Sequence, residues 1–232
     1  MLPFSFSIRK YAPSDQRAVM SLFRDGVMEH VYPAFFKALS HPDHIGITLS
    51  ISMAGYILGG SSYFQAILFG GAWAGLIYYC CHEIYEGYVG LRASADMADV
   101  QASYLDNPDN AFWLVGIAAV IGKRAEEKFD DWNGGVIGEE PEFGPDAGDG
   151  SCGELSHLVV GFQWRRKGLG TVLLQRAVDF CGERGYSRVV LDVSSLQTAA
   201  LDMYKKFGFV QTASHNNTHS NRLFSRLARI NV

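Results

Sequence analysis

The chain has 232 residues, of which 48% are hydrophobic and 19% are charged, with 25 Gly, 7 Pro and 4 Cys. This composition excludes a disordered chain, a collagen-like repeat and a disulfide-rich scaffold, and the length allows one folded domain with an appendage. The formal net charge of -4 argues against a nucleic-acid-binding protein, because such a protein needs a broad basic face.

The first segment predicts a strand followed by a helix. Phe4 to Tyr11 alternates between apolar and polar residues, as a strand does. Pro13, Ser14 and Asp15 then provide a turn and a cap for an amphipathic helix that runs to about His30.

A long apolar segment follows, because no Asp, Glu, Lys or Arg occurs from Ile45 to Cys81. A bilayer core takes about 20 apolar residues per helical span, so the segment fits one span or a hairpin. A hairpin is favoured, with Ile45 to Leu58 and Tyr63 to Cys81 as arms around a Gly and Ser turn; the short first arm also allows a re-entrant helix. The alternative, a buried hairpin in a soluble core, is disfavoured because soluble helices normally carry a polar face.

Glycine spacing and flanking charge add two expectations about this hairpin. Gly55 with Gly59, and Gly71 with Gly75, form G-x-x-x-G pairs that let helices approach closely. A hairpin returns both ends to one side, and positive charge around it favours the cytosol for that side. The basic residues concerned are Arg9, Lys10, Arg17, Arg24, Lys37 and Arg92.

The second half of the chain predicts alternating strands and helices. Ala93 to Leu105 is typical of a helix and Phe112 to Ile117 of a strand, while the next strand lies near Ala118 to Ile121 or near Val136. Part of the acidic, Gly-rich run from Glu139 to Gly150 is expected to be a loop. The remaining predictions are strand Glu154 to Val160, helix Gly168 to Arg184, strand Arg188 to Val193, helix Thr198 to Phe207, and strands near Phe209 to Thr212 and Arg222 to Leu227.

The sequence Arg165-Arg166-Lys167-Gly168-Leu169-Gly170 follows a predicted strand and opens a predicted helix. Glycines let the backbone press against a ligand, and the N–H groups at a helix start attract anions. The loop therefore predicts an anion site suited to a pyrophosphate.

Two spaced motifs carry a family resemblance. Leu158-x-Val160-x-x-x-x-Arg165-x-x-Gly168-x-Gly170 resembles motif A of the GNAT acyltransferase superfamily, and Ala200-x-x-x-Tyr204-x-x-x-Gly208-Phe209 resembles its second block. The resemblance implies an α/β GNAT acyltransferase fold, with a central mixed, mostly antiparallel twisted sheet flanked by helices, and acetyl-CoA as cosubstrate. The apolar helical hairpin is then an insertion. The implied domain divisions are 1–40, the membrane segment 41–90, and 91–232 with the acidic loop near 139–150.

Further short blocks are similar to the camello-like membrane N-acetyltransferases, which include aspartate and cysteine S-conjugate N-acetyltransferases. These blocks are Asp96-Met97-x-Asp99, Ser103-Tyr104-Leu105, Phe112-Trp113, Leu191-Asp192 and Leu196-Gln197. The resemblance implies acetyl transfer to a primary amine, foremost of an amino-acid-type molecule such as a cysteine S-conjugate, on the cytosolic side of the endoplasmic reticulum membrane. The alternatives are a lysine or N-terminal amine of a membrane-proximal protein, or a CoA-binding protein without catalysis. Residues 122–153 depart from the family pattern, which leaves the acceptor open.

Amine acetylation needs a base for the amine, donors for the carbonyl oxygen and an acid for the leaving thiolate. The resemblance places Tyr204 near the thioester sulfur as the acid. For the base, Glu154 matches the catalytic glutamate of the histone-acetylating GNAT enzymes, and His157 resembles a histidine kept in camello-like proteins. Strand alternation separates these two side chains onto opposite faces unless a bulge intervenes. Both remain candidates.

The same resemblance implies the acetyl-CoA contacts. They are the strand end Leu158, Val159 and Val160, the loop and helix start Arg165, Arg166, Lys167, Gly168, Leu169, Gly170 and Thr171, and the amide of Gln197. No metal is expected, because the His and Cys residues lack ligand spacing. Direct transfer is favoured over a cysteine acyl-enzyme, since Cys152 and Cys181 have no recognisable activating partner.

Overall fold

The computed structural model describes residues 8–114, 117–123, 151–214 and 222–228. The chain forms two compact units. The first comprises Met1–Val27 and Val89–Val193, and the second comprises Met28–Tyr88 and Ser194–Val232. The domain divisions expected from the sequence stay a prediction.

The first unit contains a sheet whose strands follow chain order. They are β1 Arg9–Lys10, β2 Ala111–Leu114, β3 Ile117–Lys123, β4 Cys152–Val159 and β5 Arg188–Val190. The first three pairings are antiparallel and β4 pairs with β5 in parallel, which confirms the mixed, mostly antiparallel sheet. Of the two locations considered for the strand after β2, the one at Ala118 to Ile121 is occupied by β3. Val136 and the run from Glu139 to Gly150 lie outside the described residues.

The helices of the described chain are α1 Gln16–Met28, α2 Val31–Leu39, α3 Pro42–Leu58, α4 Tyr63–Ser94, α5 Val100–Tyr104, α6 Leu169–Glu183, α7 Thr198–Lys206 and α8 Arg222–Ala228. In the first unit they cover both faces of the sheet. Phe112 of β2 packs against Tyr104 of α5, while its neighbour Trp113 packs against Phe180 of α6. Successive strand residues point to opposite faces, so α5 and α6 lie on opposite sides.

The second unit holds the predicted hairpin, in which α3 and α4 approach each other closely. A Cβ atom added to Gly55 would lie 2.9 Å from the carbonyl oxygen of Gln65 on α4, and one added to Gly59 would lie 2.3 Å from the Gln65 side chain. The expectation for Gly71 and Gly75 is wrong, because a Cβ atom at either would meet nothing within 4 Å.

Gly70 makes the close approach on α4 instead. A Cβ atom there would lie 2.2 Å from Oγ of Ser52 on α3. One residue turns a helix by about 100°, so Gly70 faces α3 where Gly71 does not.

Helix α4 extends well beyond the predicted arm and changes character along its length. Phe64 and Ile67 are 73% and 74% exposed, whereas Ile77, Cys80 and Ile84 are buried. In the described chain α4 is the one helix long and apolar enough to cross a membrane, by length and composition only.

Three secondary-structure predictions are wrong, and the first two concern a helix that is interrupted and a strand that is a helix. The helix expected from Ala93 to Leu105 is interrupted after Ser94, and α5 begins anew because the Asp99 side chain accepts a hydrogen bond from the Ala102 N–H, which caps it. The strand expected from Arg222 to Leu227 is α8, in which Phe224 packs on Tyr79.

The final residues of α7 lead into a segment that was expected to be a strand. Phe209 to Thr212 has no regular secondary structure, and Val210 is 80% exposed. A strand needs a neighbour to satisfy its backbone groups, and this segment pairs with no strand of the described sheet.

Candidate active site

Strand β4 contains a bulge at His157. Val159 pairs with Ile117, and Ser156 pairs with Ala119, so β4 has one residue more than β3 between the two pairs. His157 has a φ of +54°, which is the left-handed region. The bulge therefore interrupts the regular alternation of side chains.

The bulge decides which face His157 occupies. A Cβ atom at Gly153 would lie 2.4 Å from Sγ of Cys181, so Gly153 faces α6. His157 instead contacts Phe23 of α1 and Tyr104 of α5, on the opposite side of the sheet. Regular alternation would put residues 153 and 157 on the same face. His157 thus shares its face with Glu154, as the sequence allowed only with a bulge.

Strands β4 and β5 part beyond Glu154. Cys152, Gly153 and Glu154 pair with β5, and the last pair is Glu154 with Val190. From Leu155 to Val159 the strand continues beside β3 alone. The half-buried Glu154 is therefore the last residue of β4 that pairs with β5.

The predicted strand-end contacts follow the part of β4 that pairs with β5. Leu158, Val159 and Val160 are half-buried, and Arg165 donates a hydrogen bond of 2.8 Å from Nε to the carbonyl oxygen of Val160. The carbonyl of Val160 is thereby tied to the following loop. Because the carbonyl accepts this bond, the backbone N–H of Val160 is the group better suited to contact a ligand.

The predicted anion loop has the conformation that such a site requires. Gly168 is the N-cap residue of α6 with a φ of +82° and makes no side-chain cap. A Cβ atom at Gly168 would meet nothing within 4 Å, so the backbone faces open space. The N–H groups of Leu169, Gly170 and Thr171 have no partner within the helix, because the first N–H groups of a helix lack one. Charge is supplied by the exposed Arg166 and by Lys167, whose ammonium lies 4.7 Å from the Trp164 ring.

A buried polar cluster surrounds His157, and sequence reasoning gave two of its members no role. Nε2 of His157 lies 2.6 Å from Oδ2 of Asp96, and the hydroxyl of Tyr104 donates a hydrogen bond to the same oxygen. Nη1 of Arg92 lies 3.8 Å from that oxygen. Asp96 and Tyr104 had appeared only within blocks of family resemblance, where nothing in the spacing indicates that they meet.

The charge state of Asp96 follows from these contacts. Burial by itself raises the pKa of Asp96, but the hydrogen bond and charge of His157, the Tyr104 hydroxyl and the Arg92 charge together lower it to about 2. Asp96 is therefore an ionised acceptor at neutral pH. Burial, followed by the charge of Asp96, raises the pKa of Tyr104, so its phenol stays protonated.

Two predicted site residues, Tyr204 and Gln197, belong to the second unit. Tyr204 of α7 is buried, and its ring packs edge-on against Phe209 at 5.7 Å. Burial raises the pKa of Tyr204 to about 12, so the phenol keeps its proton at neutral pH. Gln197 precedes α7 without capping it through its side chain, and its amide is not used for that structural role.

The cysteine environment bears on the choice between direct transfer and an acyl-enzyme. Cys152 and Cys181 are both buried, and burial together with Cys152 raises the pKa of Cys181 to about 11. A thiol of this kind is a poor nucleophile, because the thiolate is the reactive form. Among the described residues, no group of three or more His, Cys, Asp or Glu side chains could hold a metal ion.

Comparison with known proteins identifies the family of this chain. The acetyltransferase (GNAT) family matches residues 77–209. The chain is 30% identical over 222 residues to N-acetyltransferase family 8 member 3 of Mus musculus, covering 94% of this chain and 90% of that protein. This chain belongs to the GNAT family. It is also 29% identical over 208 residues to the probable N-acetyltransferase camello of Xenopus tropicalis, covering 88% and 85% of the two chains.

The similarity to solved structures is weaker. Glucosamine-6-phosphate N-acetyltransferase from Arabidopsis thaliana is 16% identical, with a TM-score of 0.40, over 90% of this chain and 95% of that one. The family assignment therefore depends on the sequence matches.

This GNAT chain is an N-acetyltransferase, and the family uses acetyl-CoA. The residues present suit that cosubstrate, because the open Gly168 corner and the uncapped start of α6 offer backbone N–H groups to a pyrophosphate. The parting of β4 from β5 adds unpaired strand edge to which an amide-containing arm can bond.

Proposed function

We propose that this GNAT enzyme transfers the acetyl group of acetyl-CoA to the primary amine of an amino-acid-type small molecule, such as a cysteine S-conjugate, while anchored to a membrane. The observation that carries the CoA half is the Gly168 corner, where the backbone turns with a φ of +82° onto an uncapped helix. N-acetyl transfer is supported by relatives that match nearly the whole chain. The acceptor class is proposed from the resemblance of the short sequence blocks to the camello-like enzymes.

In the proposed reaction the neutral amine attacks the thioester carbonyl carbon. A C–N bond forms, the C–S bond breaks, and the amine proton is transferred in net terms to the CoA thiol. Glu154 or His157 accepts the proton from the amine, and the Tyr204 hydroxyl supplies one to the departing thiolate. Because Tyr204 is buried and keeps its proton at neutral pH, it suits the acid role. The N–H of Val160 is suited to polarise the carbonyl oxygen.

The other proposed contacts share the binding of acetyl-CoA. Arg165 orders the loop by bonding the Val160 carbonyl, while Arg166 and Lys167 supply positive charge for phosphates. Leu158 and Val159 offer strand edge to the pantetheine arm, and Gln197 offers a side-chain amide.

The membrane part of the proposal comes from the second unit. Only 22% of an apolar 18-residue stretch of α4 is buried, whereas the core helix of a soluble protein is mostly buried. Leu58 at the end of α3 and Tyr63 at the start of α4 are 78% and 76% exposed. Exposed apolar side chains along both arms match a lipid environment.

The length of α3 fits the re-entrant form of the hairpin that its short first arm allows. Its 17 residues extend about 26 Å, short of the roughly 30 Å hydrocarbon core. We place the catalytic domain on the cytosolic side, at the endoplasmic reticulum, from flanking basic charge and family resemblance.

The catalytic proposal is tested with the purified protein in detergent, isotopically labelled acetyl-CoA and a panel of amines. We expect release of free CoA and a mass-labelled product with an amino-acid-type acceptor. Tyr204→Phe is expected to slow turnover by about 10²-fold or more while leaving CoA affinity nearly unchanged. Tyr186→Phe is the matched control, because that hydroxyl bonds the backbone carbonyl of Asp109 and should leave turnover intact.

Other outcomes separate the alternatives. CoA binding without turnover on any amine would support the non-catalytic alternative, and labelled protein lysines or N-termini would support a protein acceptor. For the anchor, the protein is expected to stay with membranes after an alkaline carbonate wash; release into the supernatant would contradict membrane insertion.

A further inference from the structure

The bulge in β4 holds a residue in an unfavourable backbone conformation. Three non-glycine residues of the described chain have a positive φ: Ser61 and Arg166 lie in turns, but His157 lies within a strand. For an L-residue with a bulky side chain this conformation costs free energy, so surrounding contacts must hold it.

Those contacts come from three directions. Nε2 of His157 lies 2.6 Å from Oδ2 of Asp96, and Phe23 packs edge-on against the imidazole with ring centroids 5.1 Å apart. Tyr104 packs on the imidazole and also donates its hydroxyl to Asp96. The clamp, meaning Asp96, Tyr104 and His157, thus ties the bulge to α5 and to the segment between α4 and α5.

The clamp also limits what His157 can do. A carboxylate only accepts hydrogen bonds, so Nε2 must carry a proton that it donates to Asp96. The imidazole side chain is 1% exposed, which leaves it no surface for an incoming amine. Glu154, on the same face, is half-buried and lies where β4 and β5 part.

The bulge stands directly before the strand end that is proposed to contact acetyl-CoA. Leu158, Val159 and Val160 follow His157, and a bulge re-aims the residues after it. A change at His157 would therefore change the direction of the peptide groups to which acetyl-CoA would bond.

We infer that Asp96 and Tyr104 are positioning residues that hold His157 in the bulge and so aim the strand end at acetyl-CoA, while Glu154 takes the proton from the amine. This inference depends on the proposed acetyl transfer. The inference predicts opposite kinetic effects for two residues of β4. Replacing His157 should weaken CoA binding, and replacing Glu154 should lower kcat.

The experiment measures the CoA dissociation constant by calorimetry and kcat at saturating acetyl-CoA, with the full-length protein in detergent. Asp96→Asn and Tyr104→Phe each weaken one hydrogen bond of the clamp, and we expect CoA affinity to fall about tenfold with kcat within a fewfold of the parent. His157→Asn should act in the same way, because Asn tolerates the left-handed backbone but cannot replace the imidazole. Glu154→Gln should do the reverse, with unchanged CoA affinity and a kcat at least about 10²-fold lower.

The opposite pattern would overturn the inference. If His157→Asn abolishes kcat at saturating acetyl-CoA while CoA affinity is kept, His157 is the base and the clamp serves catalysis directly. If Asp96→Asn and Tyr104→Phe change neither the CoA dissociation constant nor kcat, the clamp does not position the strand end. Tyr104→Phe keeps the ring packing and so tests the inference even if Asp96→Asn fails to fold.

Failure of the proposed function gives a different result. In that case the parent protein acetylates no amine, but the CoA dissociation constants of the clamp variants still measure the effect of the clamp on binding. A tenfold loss of affinity in Tyr104→Phe would then support the positioning role, and an unchanged affinity would overturn it.

Discussion

Replacing Gly168 by alanine separates the strain of the anion loop from its binding role. Gly168 has a φ of +82°, and an added Cβ atom would meet no protein atom within 4 Å. The protein therefore has room for the methyl group, and the cost in free energy of unfolding is that of the left-handed backbone, about 1–2 kcal/mol. A ligand that approaches the backbone from that open space would meet the methyl group directly.

A matched control exists at the other end of the same helix. Gly185 follows α6, has a φ of +75° and would also place a Cβ atom in open space. Gly185→Ala should lower the free energy of unfolding by a similar amount, about 1–2 kcal/mol. Since it lies beyond the C-terminal end of α6, it should not change CoA binding.

Two measurements decide the matter. Chemical unfolding should show similar losses of stability for the two variants, and calorimetry with CoA should show a dissociation constant at least about tenfold higher for Gly168→Ala alone, or about 1.4 kcal/mol. If both variants bind CoA as tightly as the parent protein does, the assignment of the pyrophosphate to this corner is refuted. If both variants lose CoA affinity by the same factor, strain in α6 controls binding and contact at the loop does not.

Two further predictions concern stability. The pKa of Asp96 is lowered to about 2 from an ordinary value of 3.8, so its contribution to the free energy of unfolding is present above about pH 4 and is lost as the pH falls towards 2. It amounts to at most about 2 kcal/mol, and Asp96→Asn should flatten the measured decrease between pH 5 and 2 by that amount; identical acid profiles would contradict the role of the clamp. In the hairpin, Gly55→Leu should open the contact with Gln65 and increase proteolysis between the arms, whereas Gly46→Leu on the same helix meets nothing within 4 Å and should not; equal protection of both variants would contradict close packing at Gly55.

Local signals in the sequence were enough for much of the fold. Proline, Ser and Asp marked the start of α1, the Gly and Ser turn divided α3 from α4, and the basic Gly-containing run marked the start of α6. These features depend on neighbouring residues, because caps, turns and helix N-termini are built from groups a few positions apart.

Local periodicity failed where the outcome depended on partners elsewhere. The residues of α8 have an apolar spacing that also suits a strand, but they form a helix in which Phe224 packs on Tyr79. Gly70 replaced Gly71 as the contact glycine, because the rotation of α4 about its axis is set by packing against α3.

By itself the sequence determined the family, the glycine-containing start of α6 and the presence of an apolar hairpin, since each depends on contiguous residues. Only the tertiary structure decided the surroundings of His157. Asp96 and Tyr104 are separated from it by 61 and 53 positions, and a single extra residue in β4 turned its side chain towards them. Pairing between distant residues depends on strand register and helix packing, which no local pattern specifies.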